Sequence, residues 1–226
     1  MDGFLATDRP GRRTLKTAIG CVGVGLHSGR RVSLTLRPAA AGTGIVFRRT
    51  DLGIDIPARF DRVLDTRLCT ALVAQDAPQA RIGTVEHVMA ALAGTGITDA
   101  VVEIDAAEVP ILDGSAAPFV FLIDCAGTVA LPGAAPNLEV LKRIRVEEGE
   151  AFAELHPTRE LGLTATVTID FPASAIGRQQ LSLRVSQSAF RTQLAEARTF
   201  TLAEEIARLR AAGLAHQPRA GVDLLD

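Results

Sequence analysis

The clearest pattern lies at residues 81–94, where Val85, Val88, Met89 and Leu92 recur at i, i+3, i+4 and i+7. That spacing predicts a helix with one apolar face. Gly83 or Thr84 can cap its start, and Gly94 and Gly96 can close its end. Upstream the period is two. Val32, Leu34 and Leu36 alternate with polar neighbours as far as Pro38, which predicts a strand. A Thr-, Ile- and Val-rich strand over 13–26 precedes it, with a turn at His27-Ser28-Gly29. Residues 1–13 read as a frayed tail. Short strands are expected over 44–48, 63–73 and 100–105, and loop or edge over 51–57. Ser115 is placed to cap a second helix, with Pro118 in its first turn and Phe119, Leu122 and Ile123 on its buried face. Residues 127–137, rich in Gly, Ala and Pro, read as a linker. Beyond it come strands over 138–146, 152–156, 161–171 and 181–185, with a break at 172–180. A helix is expected over 199–212, with Leu202, Ile206 and Leu209 on one face. Strands then helix, twice, is an α+β class with helices laid on antiparallel or mixed sheets.

Composition narrows the function classes. The 226 residues are 47% hydrophobic and 22% charged, enough for a packed core. A net charge of -2 gives no electrostatic reason to expect nucleic acid, and a chain without Trp or Tyr has little material for base stacking. Cys21, Cys69 and Cys125 are far apart with no C-x-x-C, so neither a disulfide framework nor a cysteine zinc site is expected, and a reducing cytoplasm fits. No secretory signal and no membrane-spanning run is read. Gly20, Gly23, Gly25 and Gly29 precede a strand rather than opening a helix, which argues against a dinucleotide loop.

Glu86 and His87 sit side by side in the first turn of the expected helix. A first-turn carboxylate suits the helix dipole, and a half-buried histidine is common in cores. The same pair can also be a metal-binding imidazole beside a general base. Spacing alone leaves both readings open.

Five stretches taken together carry more. Gly25-Leu26-His27-Ser28-Gly29, Asp65-Thr66-Arg67-Leu68-Cys69-Thr70, Thr84-Val85-Glu86-His87 with Ala90-Ala91-Leu92-Ala93-Gly94, Pro110 to Phe119 with its Asp113-Gly114-Ser115 turn, and Ala197-Arg198-Thr199-Phe200 occur in this order. Over residues 12 to 215 the chain resembles the UDP-3-O-acyl-N-acetylglucosamine deacetylases of lipid A biosynthesis. The resemblance implies a cytoplasmic zinc hydrolase acting on a UDP-sugar that bears an acyl chain, with no nucleic acid and no integral membrane contact. It implies two related domains, 12–127 and 137–215, with helices sandwiched between two sheets. It makes His87 a zinc ligand, Glu86 the general base and Thr199 the hydroxyl that steadies an oxyanion. Leu68, Cys69 and Phe200 would line the substrate cleft. Residues 171–181, with Ala173, Ala175 and Ile176, would form an apolar passage for the acyl chain, and His27 would stand near the site.

One departure is large. In that family the second domain supplies two further zinc ligands, a His and an Asp four apart, and a later His that protonates the leaving amine. This chain has four histidines, His27, His87, His156 and His216, and none is followed four residues later by Asp. The resemblance ends near Ala215, and 216–226 shows neither helical nor strand period, so an unpacked tail is expected. The expectation is a truncated or frame-shifted product, or a short paralogue, with an incomplete second domain less stable than the first. Two functions follow: zinc-dependent deacetylation of the UDP-sugar, or an inactive, substrate-binding remnant lacking two zinc ligands.

Overall fold

The computed structural model describes residues 11–173, 176–202, 208, 211 and 223–225. The chain opens with β1 (Gly11–Leu15), β2 (Ile19–Val24), β3 (Arg31–Pro38), β4 (Ile45–Arg49), β5 (Ile54–Pro57), β6 (Val63–Asp65), β7 (Ala71–Ala74) and β8 (Ala77–Ile82). Helix α1 (Glu86–Gly94), β9 (Ala100–Ile104), α2 (Ala117–Ala126) and β10 (Thr128–Ala134) follow. Then come β11 (Ile144–Glu148), β12 (Ala151–Leu155), β13 (Leu163–Asp170) and β14 (Arg178–Val185). A helical turn α3 (Gln187–Ala189) runs on as a π turn over Phe190–Leu194, and β15 (Phe200–Leu202) and β16 (Asp223–Leu225) close the order. This is a mixed α+β fold built on several sheets.

The main sheet has the order β2-β3-β9-β4-β5, antiparallel except for the β4–β9 pair. Alternation builds it. Val32, Leu34 and Leu36 of β3 point inward beside Val102 and Ile104 of β9 and Phe47 of β4, all essentially fully buried. Val85, Val88 and Leu92 of the α1 segment and Phe119 and Ile123 of α2 join the same core. Burying each such side chain contributes about 1.5–3 kcal/mol. A second sheet, β6-β7-β8, leads into α1. Phe190 and Ala195 complete the core.

Several expectations need correction. Residues 127–137 are not a linker: β10 pairs antiparallel with β1. Gly11 faces Ala134 while Arg12 faces Leu131, and this register shift takes up Pro132 and Gly133. Proline has no N–H to give a ladder, so a bulge is where a strand tolerates it. The same pairing takes Gly11–Arg13 out of the expected tail, while residues 1–10 lie outside the described ones. The 63–73 strand is two strands, because Leu68 turns back in the left-handed region at φ 66°. Phe200–Leu202 is a strand paired in parallel with Asp223–Leu225, not the first turn of a helix. Ile206, Leu209 and His216 lie outside the described residues. No described helix is long and apolar enough to cross a membrane.

Candidate active site

The approach to α1 is held from three sides. Gly83 N donates to Ala107 O at 2.9 Å and Gly83 O accepts from Val109 N at 3.0 Å. Thr84 follows, buried and at φ 58°, and its hydroxyl donates to Glu108 Oε1 at 3.3 Å. The same buried carboxylate accepts from His27 N and Ser28 N, each at 2.8 Å. With Thr84 Oγ1 committed to Glu108, the cap residue is Val85, without a side-chain cap. Thr70 then clamps the first turn. Its carbonyl accepts from Val85 N at 3.3 Å, and its N–H donates to Glu86 Oε2 at 3.0 Å. The loop bearing Leu68 and Cys69 is thereby tied to the Glu86 carboxylate.

Backbone strain gathers here. Leu68, Thr84 and Leu112 are the described non-glycine residues with positive φ. Each flanks a group of the site: Cys69, Val85-Glu86 and Asp113. A non-glycine residue in this region costs about 1–2 kcal/mol, and such strain persists where the surroundings over-determine it.

His87 is half-buried on α1. Burial pushes its imidazolium down, and the carboxylates of Glu86 and Asp113 push back without prevailing, so the ring titrates below the ordinary 6.5. At neutral pH it is the uncharged, lone-pair-bearing form. Asp113 is set by the turn into α2: its Oδ1 accepts from Ser115 N at 2.9 Å and Ser115 Oγ at 2.8 Å. Ser115 Oγ in turn accepts from Ala117 N at 3.1 Å. Thr199 hangs from the same turn, its N–H donating to Gly114 O at 2.9 Å. Phe200 meets Phe171 edge to face, centroids 5.6 Å apart, and is partly exposed. Leu68 is 58% exposed, and Ile176 is buried. Ala175 lies outside the described residues.

A titration follows from the His87 surroundings. Its ring carbons, followed by NMR, are expected to shift with a midpoint below 6.5, and Glu86→Gln should lower it further by removing an acid-stabilising charge. The folded-state value is depressed, so this histidine contributes stability that is present above the unfolded pKa near ~6.5 and lost as pH falls. A midpoint above 6.5 would mean that the carboxylates outweigh burial.

Two further histidines are described, His27 and His156. His27 lines a cavity of about 430 Å³ with Cys69, Arg30, Arg81 and Glu108, and both its ring nitrogens are buried without a hydrogen-bond partner. His156 pairs with Glu154 at the end of β12. Among the described residues no group of three or more His, Cys, Asp or Glu side chains is placed to hold a metal ion. A zinc centre takes three protein donors and a water. Here His87 supplies one, Glu86 Oε2 is engaged by Thr70 and Asp113 Oδ1 by Ser115. The described donor set does not fit zinc. What the arrangement does offer is a carboxylate able to take a proton, a neutral imidazole beside it, and a threonine hung on the adjoining turn.

Two parts of this arrangement are not apparent in the sequence pattern. Glu108 becomes a buried acceptor of three hydrogen bonds, and Asp113 acts on His87 besides shaping its turn. A lone acid within the mainly apolar run 106–112 was the signal for the first. Nothing in spacing marks the second.

Comparison with known proteins bears on the same residues. The family model described as UDP-3-O-acyl N-acetylglycosamine deacetylase matches residues 12–221. The UDP-3-O-acyl-N-acetylglucosamine deacetylase of Photobacterium profundum is 46% identical over 206 residues, covering 90% of this chain and 67% of that protein. That of Aliivibrio fischeri is 46% identical over 205 residues, and that of Sodalis glossinidius 48% over 208, with the same coverage. The matched span takes in the α1 turn, the Asp113 turn and Thr199 alike, and the chain belongs to the UDP-3-O-acyl-N-acetylglucosamine deacetylase family of hydrolases.

Proposed function

We propose that this chain binds the substrate class of its relatives, a UDP-linked, 3-O-acylated N-acetylglucosamine, and does not hydrolyse it as an isolated polypeptide. The observation that carries this reading is the donor set. His87 stands as one neutral imidazole, and no three-donor group accompanies it among the described residues. The family relationship supports a deacetylase-type ancestry for Glu86, His87 and Thr199. In this reading the sugar amide lies over Glu86 and His87, Thr199 faces the amide oxygen, and Leu68, Cys69 and Phe200 line the cleft. Phe171 and Ile176 begin the passage for the acyl chain. Two related domains, 12–127 and 137–215, would flank that cleft, in the cytoplasm.

Calorimetric titration with the UDP-sugar tests it. Saturable 1:1 binding is expected, weakened about tenfold when the exposed Leu68 is changed to Asp, because a charge would then sit against the acylated sugar. Absence of binding at millimolar ligand would overturn the reading.

A further inference from the structure

Helix α1 ends on a glycine that the helix itself does not require. Gly94 lies at an ordinary helical φ, where alanine is the better helix former. The Phe190 ring supplies the reason: a Cβ added at Gly94 would overlap its Cγ, Cδ1 and Cε1 atoms. Phe190 is buried there, against the bare backbone of the last turn of α1. Gln187 approaches Gly96 in the same way, since a Cβ there would overlap its side-chain amide. The chain that follows is wound wide. Ala195 N donates to Phe190 O at 2.8 Å, five residues back, and Phe190 and Ala195 both enter the core. Arg191, next to the ring, meets both carboxylate oxygens of Asp124 on α2 at 2.7 Å.

These anchors bear on Thr199. Its N–H donates to Gly114 O at 2.9 Å, in the turn whose Asp113 acts on His87. One main-chain hydrogen bond leaves a half-buried loop free to swing about it. The second tether is the buried Ala195, four residues back, which limits the reach of Thr199 to about 14 Å. Ala195 is itself placed by its bond to Phe190 O. The Arg191–Asp124 pair adds little, because its side chains are 37% and 50% exposed and water screens them. The buried ring is therefore the anchor. Helix α1 carries Glu86 and His87 at its start and receives Phe190 at its end. We infer that Phe190, packed on Gly94, is a positioning residue for Thr199, fixing its distance from the Glu86–His87 helix. The inference rests on the reading that Thr199 meets the sugar amide, and it names the contact that holds Thr199 ready. A group that meets a ligand is effective when the packing beneath it fixes it beforehand.

Hydrogen exchange and calorimetry on the full chain test it. Gly94→Ala pushes the ring off the helix, and Phe190→Ala removes it. Either is expected to speed exchange of the Thr199 amide about tenfold or more relative to the amides of β3 and β9. The double variant should go no further than Phe190→Ala alone, because both changes act through one contact. The Kd for the UDP-sugar should rise about threefold to tenfold in Gly94→Ala, the loss of one hydrogen bond, and no further once Thr199→Ala is present. Thr199 exchange that keeps its wild-type rate, or rises only in step with β3 and β9, would overturn the inference. So would a Kd unchanged in Gly94→Ala. Should Gly94→Ala or Phe190→Ala fail to fold, Phe190→Leu decides by the same exchange comparison, since it keeps an apolar side chain over the glycine. A wild type that binds no UDP-sugar would sink the binding reading instead, and the exchange pattern would still decide whether Phe190 places Thr199.

Discussion

The purified 226-residue chain, supplied with zinc and a UDP-linked 3-O-acylated N-acetylglucosamine, is expected to release no acetate above the uncatalysed background. The magnitude comes from the attacking water. Free water has a pKa near ~15.7, and a catalytic zinc with three protein ligands lowers it to near ~7. One imidazole does not hold such an ion. Glu86, held by the Thr70 N–H, remains as a carboxylate that could take a proton. General-base assistance contributes about 10²–10⁴-fold. Against roughly nine units of pKa, that leaves a shortfall of about 10⁵-fold or more. Glu86→Ala should therefore change nothing measurable in turnover, while leaving substrate binding largely intact. Acetate release abolished by Glu86→Ala would show that a complete site assembles after all.

Asp99→Ala is expected to destabilise the fold by about 3–5 kcal/mol, since it strands charged and polar partners in a buried setting. The Asp99 side chain is fully buried. Its carboxylate accepts from Arg12 Nη1 at 3.0 and 3.1 Å, from the backbone N–H groups of Gly42 and Gly44 at 2.9 Å each, and from Thr98 Oγ1 at 2.6 Å. One side chain thus joins β1, the loop before β4 and the entry to β9. Burial opposes the charge on Asp99, but the hydrogen bonds from Thr98 and Gly44 and the Arg12 guanidinium together hold its carboxyl below the ordinary range. The sign follows. A depressed carboxyl contributes stability that is present above the unfolded value near ~3.9 and lost as pH falls through the folded value. Asp99→Ala should lower the midpoint of thermal unfolding by roughly 10 °C at pH 7, with a smaller deficit in acid. Asp99→Asn, which keeps an acceptor, should cost less. A loss under ~1 kcal/mol for the alanine variant would mean that the loop carrying Gly42 and Gly44 finds other partners.

How legible the fold was depends on where each element finds its partners. Helix α1 was readable because Val85, Val88 and Leu92 carry its burial in one periodic stripe. β3 was readable because Val32, Leu34 and Leu36 alternate, and β13 and β14 because Leu163 to Ile169 and Leu181 to Val185 alternate. β10 was not. Val129, Ala130 and Leu131 run together without alternation, Pro132 and Gly133 follow, and the strand exists through main-chain pairing with β1 at the other end of this half of the chain. β15 was misread for a similar reason, since its partner is β16 and local spacing around Leu202 favours a helix.

The site divides in the same manner. Glu86, His87, Thr199 and Cys69 were named as candidates through the family resemblance, since spacing alone left them open. Their physical state could not. That Glu86 is engaged by a backbone N–H, that His87 feels Asp113, and that His27 lines a cavity with Cys69, Thr84 and Glu108 while both its ring nitrogens lack partners all depend on contacts between distant segments. The strain at Leu68, Thr84 and Leu112 is equally silent in sequence, because none is a glycine.

Metal stoichiometry tests the central claim most directly. The chain is loaded with excess zinc, dialysed against metal-free buffer and analysed by atomic emission, in parallel with His87→Ala. Well under one zinc per ten chains is expected, with no difference between the two proteins. One zinc per chain, lost in His87→Ala, would contradict the claim that His87 stands without the donors a zinc centre requires.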